Sequence, residues 1–452
     1  GTYSANWVRW VLTPHADRFT DSRLSKTLSP AKELLTQLVP ASLVPFSYLV
    51  LGTRLLPGDA SVAHALEDGS ELLLIKSKEY RSCSGWRSAG CDPKDLTFVQ
   101  IPDSVTKITQ EAFYGCSALR EVQIPDSVTS IGEEAFFGCS ALEELMIPDS
   151  VVIIGDRAFC DCTTLKEALI PTSVIAIGRA AFYNCSALRE VVIPDSVKSI
   201  ERLAFYSCRA LSKVQIPESL TNIGDEAFSL CRSLLEVNIP ESVTTIGRAA
   251  FFGCGNLTRV ANSAVVGSLA DQTFACCSAL TEAPIPESVT QLGDEVFYGC
   301  INLHRVLLPP GVSCIGHAAF CGCSALVEVH IPASVTSLGP RAFQDCRTLR
   351  AVQIPDSLSE IRDGTFARCA CLTEVKIPCS VTCIGEDSFY GCESLSKIHI
   401  PDSVLVGKRA FHGCSLSDRN ALPQRRSPSR LHWRSRSRSK DGKCGPGLGT
   451  RV

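Results

Sequence analysis

Methionine is all but missing from these 452 residues: Met146 is the only one. No apolar run approaches the roughly 20 residues that a membrane-spanning helix needs, so no transmembrane span is expected. The chain begins at Gly1, and a targeting segment therefore cannot be read in either direction. Phosphate-binding loops are missing too. Asp441-Gly442-Lys443-Cys444-Gly445 has neither the spacing nor the strand-to-helix setting of such a loop, and no dinucleotide glycine motif occurs. The 8 histidines are scattered, and close cysteine pairs such as Cys160/Cys162 and Cys379/Cys383 lack partners at zinc-ligand spacing. Nothing here asks for a metal, a cofactor or a catalytic constellation, and the chain reads as no enzyme.

What is present is one phrase repeated. From Ile101 to Cys414 the motif Ile-Pro-(Asp/Glu)-Ser-Val-Thr-x-Ile-Gly-x-x-Ala-Phe-x-x-Cys-x-x-Leu-x-x-Val-x returns every 23 residues, with prolines from Pro102 to Pro401 on one register and only Ser263 out of character. A period of this length, held without insertion, makes each unit one turn of a stacked coil that cannot bury its own apolar face. Within Leu119-Arg120-Glu121-Val122-Gln123-Ile124 the apolar residues alternate with polar ones, the pattern of a strand with one buried face. Pro125 ends that strand because it cannot donate to a ladder. Asp126-Ser127 supplies turn chemistry, and Gly132 allows a bend. Glu133-Glu134-Ala135-Phe136 is too short for a full helix and reads as a helical turn or a second extended edge. Phe136 belongs to a column running from Phe113 to Phe411 that takes 14 of the 19 phenylalanines, and so regular an aromatic column is core.

Twenty-four cysteines raise the question of a disulfide framework. Thirteen of them, Cys116 to Cys392, share one repeat position, with Cys414 following. A small apolar residue suits a tightly stacked turn there, and free cysteine behaves as one. Stacked neighbours about 5 Å apart also lie within bridging range, so spacing alone leaves both states open. A reduced ladder points to the cytoplasm; a bridged one points to the cell exterior.

This repeat resembles the BspA-type leucine-rich repeats, whose pattern it matches nearly letter for letter over about 70% of the chain. The resemblance implies an α/β-type repeat solenoid: a right-handed leucine-rich-repeat superhelix with a parallel β-sheet on its concave face, used for adhesion or protein recognition rather than catalysis. Asn262-Ser263, Pro309-Pro310-Gly311 and a last repeat one residue short depart from the pattern locally. Residues 99–416 form the solenoid of about 14 repeats. Residues 1–77 resemble a ubiquitin-like β-grasp domain in part, with strands around Tyr48–Leu56 and Leu72–Ile75, a helix over Ala31–Leu38 and a poorly patterned first hairpin between Trp7 and Thr20. Residues 78–98, with Cys83 and Cys91, then serve as linker and cap.

If Val122 and Ile124 face inward, Glu121 faces out and heads a column whose acids are Glu121, Glu144, Glu167, Glu190, Glu236, Glu282, Glu328 and Glu374, interrupted by Lys213, Arg259, Arg305, Ala351 and Lys397. Either this is a solvated face that keeps the sheet soluble, or it selects a basic protein partner. The charge distribution supplies one candidate. Residues 417–452 hold ten Lys/Arg against two Asp/Glu, a net +8 in a chain of net −3, so the body before them carries −11. Their Ser429–Lys440 tract, rich in Arg-Ser pairs, reads as a disordered basic tail that visits the acidic face within the same molecule and leaves it when Ser435, Ser437 and Ser439 are phosphorylated. The tract also resembles splicing-type Arg-Ser segments and nuclear-import signals, the one place for weak contact with nucleic acid. The functional reading is a nonenzymatic recognition scaffold; its alternatives are a ubiquitin-pathway adaptor using the N-terminal module and a cell-surface adhesin.

Overall fold

The computed structural model describes residues 97–101, 103 and 105–416, together with three N-terminal strands. Those three, Ser47–Leu51, Arg54–Leu56 and Leu72–Lys76, form an antiparallel sheet with Ser47–Leu51 in the middle and Leu49 opposite both Leu56 and Leu74. These three strands alone do not support the β-grasp resemblance. The expected helix, the first hairpin, the linker with Cys83 and Cys91, and the basic tail lie outside the described residues.

From residue 97 onward the chain coils into a parallel β-solenoid. Each turn contributes a strand of mostly three residues to a first ladder, such as Glu144–Met146, and a strand of two residues to a second, such as Ile153–Ile154. Neighbouring turns pair in parallel with a 23-residue offset, for example Glu167 with Glu144 and Ile177 with Ile154. Leu119, Val128, Ile131, Phe136, Cys139 and Leu142 show how one turn fills the interior: all are at most 1% exposed. Since every such residue meets its counterparts in the turns on either side, burial stabilises pairs of turns rather than single ones.

The α/β expectation is corrected here, because none of the described residues between 97 and 416 is helical. The Glu133–Phe136 stretch is neither a helical turn nor an extended edge. Glu134 has φ of 53° and Gly138 of 72°, and a left-handed residue cannot continue a right-handed helix. The backbone instead alternates local and lateral bonds. Ala135, Phe137 and Cys139 N–H close tight turns onto Gly132, Glu134 and Phe136 carbonyls, while Glu134, Phe136 and Gly138 N–H each donate at 2.8 Å to Asp156, Ala158 and Cys160 in the next turn. This third side is thus a hydrogen-bonded ladder without strands, and its buried N–H groups are satisfied.

Glycine sets the spacing of the second ladder. Gly155 N–H donates to Ile131 O at 2.8 Å, and a Cβ built on it lies 2.7 Å from Glu133 N and Gly132 C. Any side chain there pushes adjacent turns apart. Three turns carry Glu201, Ala270 and Arg362 instead, and all three lack this hydrogen bond. The consequences are visible in the sheet. The second ladder breaks after Thr245–Ile246 and after Ser337–Leu338, on the turns that bring in Ala270 and Arg362, and narrows to the single pair Ile177–Ile200 at Glu201. The first ladder breaks between Glu121–Gln123 and Glu144–Met146, and again where Pro284 takes an outward strand position without an N–H to give; Glu282 keeps one isolated bridge to Arg305, and Asn262 Nδ2 donates to Pro284 O at 2.9 Å.

Candidate protein-recognition face

The Phe column is a continuous stack. Successive rings from Phe113 to Phe411 lie 5.0–5.7 Å apart at interplanar angles of 2–17°. It is core, and offers no surface to a ligand. The Cys column beside it is more than apolar filling. Cys162 Sγ donates to Phe136 O at 3.3 Å, a carbonyl that also accepts Cys139 N–H at 3.2 Å, and thiols from Cys139 to Cys414 repeat this contact at 3.1–3.3 Å. The 21 described cysteines carry thiols rather than disulfides. Burial pushes the thiols from Cys162 to Cys369 up, Cys254 to about 12 and Cys185 and Cys231 well above the usual range, so they stay protonated as the bond requires; at the end of the column the hydrogen bond between Cys392 and Cys414 instead lowers Cys414. Sequence reading found the position but missed the donor.

The strands of the first ladder present their first and third residues to solvent and bury the second, as in Glu144–Met146, Glu167–Leu169 and Glu190–Val192. All eight expected acids are exposed: Glu121, Glu144, Glu167, Glu190, Glu236, Glu282, Glu328 and Glu374. Register divides them. From Lys213 to Glu328 the column alternates in sign, Lys213 with Glu236, Glu236 with Arg259 and Arg305 with Glu328, and after the neutral Ala351 it ends on Glu374 with Lys397. Only Glu121, Glu144, Glu167 and Glu190 form an uninterrupted acidic run, and it ends at the Lys213–Glu190 ion pair of 2.8 Å. Glu144 and Glu167 have no cationic partner among the described residues. One column over, Lys166 pairs with Glu143 at 2.6 Å and holds that carboxyl below its usual range through the hydrogen bond.

The third strand position was missed. It carries Met146, Leu169 and Val192, exposed by 66%, 59% and 46%, where alternation calls for polar side chains. The signal was available two residues after each glutamate.

By contrast, a cavity of about 410 Å³ near the C-terminal turns mixes Arg341, Arg368 and Arg409 with Asp363, Glu386 and Asp387. Its charges are spent internally, Arg409 on Asp387 at 2.6 Å and Arg368 on Asp345 at 3.9 Å. Among the described residues no group of three His, Cys, Asp or Glu could hold a metal ion, and no helix is long and apolar enough to cross a membrane. Ser435, Ser437 and Ser439 lie outside the described residues.

Comparison with known proteins agrees with this geometry. A family profile described as "BspA type Leucine rich repeat region (6 copies)" matches residues 90–212, 198–325 and 290–417. The chain belongs to that family of repeat proteins. Among solved structures it is similar to a leucine-rich repeat protein from Bacteroides ovatus, with 34% identity, a TM-score of 0.65, and coverage of 70% of this chain and 85% of that one. It also matches a leucine rich cell surface protein from Faecalibacterium prausnitzii at 28% identity and a TM-score of 0.45, covering 73% of this chain and 91% of that one. No curated protein matches.

Proposed function

We propose that this chain is a nonenzymatic recognition scaffold that takes a basic protein partner on the outward face of its first ladder, at the N-terminal end. The observation that supports this is the row Glu144, Glu167 and Glu190 on three paired strands, with Glu121 on the neighbouring turn across a break in the ladder, and with Glu144 and Glu167 lacking a cationic partner among the described residues. Parallel strands about 4.8 Å apart hold each carboxylate within one Debye length of its neighbours in the row, so a cationic partner is attracted by several at once and released by salt. Glu236, Glu282, Glu328 and Glu374 contribute less, because cations alternate with them. The basic tail supplies such chemistry within the molecule. It follows Leu416, within reach of Glu328 and Glu374, and phosphorylation of Ser435, Ser437 and Ser439, at about −1.5 to −2 each, releases it by cancelling most of its positive charge. Loss of residues 415–452 that leaves the salt dependence of stability untouched would rule this contact out.

The partner is tested by crosslinking the full chain and its Glu144→Lys/Glu167→Lys variant in the same lysate at low and physiological salt. Basic proteins held by the first and lost by the second are expected. An identical set on both removes the acidic run as the recognition surface.

A further inference from the structure

Glu144, Glu167 and Glu190 alternate along their strands with Met146, Leu169 and Val192, and the two rows run side by side over three adjacent strands. Single exposed apolar residues are ordinary on protein surfaces. Three in register on neighbouring strands form a continuous stripe, which asks for a covering group. The stripe has sharp limits. The same position is Gln123 on the strand before and Gln215 on the strand after, and the acidic row turns to Lys213 on that same strand. On the other flank stand Asp149, Thr172 and Asp195, all exposed. The surface is therefore an apolar strip between two rows dominated by acids. It fits a segment with apolar side chains two residues apart and cations around them.

The chain carries such a segment. Arg430-Leu431-His432-Trp433-Arg434-Ser435-Arg436 sets Leu431 and Trp433 two apart among arginines. Reach decides which molecule supplies it. The strand Lys397–His399 of the last turn stands ten repeats beyond Glu167–Leu169, about 48 Å at about 4.8 Å per strand. From Leu416 to Leu431 the chain is 15 residues, about 50 Å when fully stretched and about 22 Å as a flexible coil. Docking within one molecule demands a taut tail; docking between molecules does not.

We infer that the Leu431–Trp433 segment of a second copy docks on the Met146–Leu169–Val192 stripe, its arginines facing the flanking acids. The contact is head-to-tail, and each copy keeps a free stripe at one end and a free tail at the other, so assembly is open-ended. The inference rests on the acidic face proposed above as a binding surface, but fails separately from it.

The test is sedimentation velocity of the full chain at increasing concentration in low and in physiological salt, read alongside Trp433→Ala, Leu169→Ser with Met146→Ser, and Leu307→Ser. Concentration-dependent association is expected, weakened at least about tenfold by the first two variants, as loss of a central aromatic anchor does. Leu307→Ser, also 66% exposed but outside the stripe, leaves it unchanged. Trp433 lies outside the repeats, so its variant reads docking even if the Leu169 variant unfolds. A chain that stays monomeric at every concentration overturns the inference, as does association indifferent to Trp433→Ala. A monomer whose tryptophan fluorescence shifts on Leu169→Ser, but not when Trp433→Ala is already present, assigns the stripe to the tail of the same molecule and also overturns it. Basic proteins still captured through Glu144 and Glu167 leave the recognition reading standing in each case.

Discussion

Replacing Phe228 by alanine tests whether this fold is a chain of nearest-neighbour couplings. Its ring is fully buried and stacks on Phe205 at 5.4 Å and Phe251 at 5.5 Å. Truncating a core phenylalanine costs about 3–5 kcal/mol, and two stacked ring contacts at about 0.5–1.5 kcal/mol each place this site at the upper end. Phe411 is half-buried and has one ring neighbour among the described residues, Phe389 at 5.3 Å, so Phe411→Ala is expected to cost about 1–2 kcal/mol and to fray one end. The middle substitution does something different in kind. It weakens the coupling between the turns on either side, so urea unfolding followed by circular dichroism should separate into two steps. Amide exchange should accelerate at Phe205 N–H, bonded to Ala227 O at 2.9 Å, and Phe228 N–H, bonded to Ala250 O at 2.8 Å. Equal losses for Phe411→Ala and Phe228→Ala, or a loss below about 2 kcal/mol at Phe228, would refute the nearest-neighbour argument.

Gly155→Ala drives a Cβ to 2.7 Å from the preceding turn's backbone, whereas Gly267→Ala meets nothing within 4 Å; denaturant midpoints should show a loss of about 2–3 kcal/mol for the first and at most about 1 kcal/mol of change for the second. Folded protein treated with a thiol reagent should react first at the exposed Cys371 and Cys379, and the column from Cys116 to Cys392 should react only as the array unfolds; rapid reaction of the whole set contradicts the burial argument. Because Cys254 is pushed up to about 12 in the fold while an unfolded thiol titrates near 8.5, the unfolded chain loses protons first, and stability present below about pH 8.5 falls as pH rises toward 12. Urea midpoints across that range check the sign, and Cys254→Ala should shallow the slope.

The stacking of turns, the buried Phe column and the outward glutamates were legible because they rest on periods of 23 and 2. Glu133-Glu134-Ala135-Phe136 was not, since its residues are sound helix formers and nothing in Glu134 announces a positive φ; the lateral bonds to Asp156, Ala158 and Cys160 impose it. Pro284 and the replacement of glycine by Glu201, Ala270 and Arg362 were written in the sequence, but their meaning needed the close approach of adjacent turns. Likewise the acidic column read as eight equivalent residues until register showed that five, Glu190 among them, have cations for neighbours. The apolar residues at Met146, Leu169 and Val192 were overlooked because a strand of any face tolerates them by propensity.

Each turn hands its hydrogen bonds only to the turns beside it, so the molecule also has a mechanical character. Under tension applied to its ends, a turn at the margin gives up its bonds without disturbing the next, and 23 residues pay out about 75 Å of chain against about 4.8 Å of stacked height. Such a body lengthens by unwinding in equal steps while its middle holds, and rewinds from a surviving stub that already presents the template for the next coil.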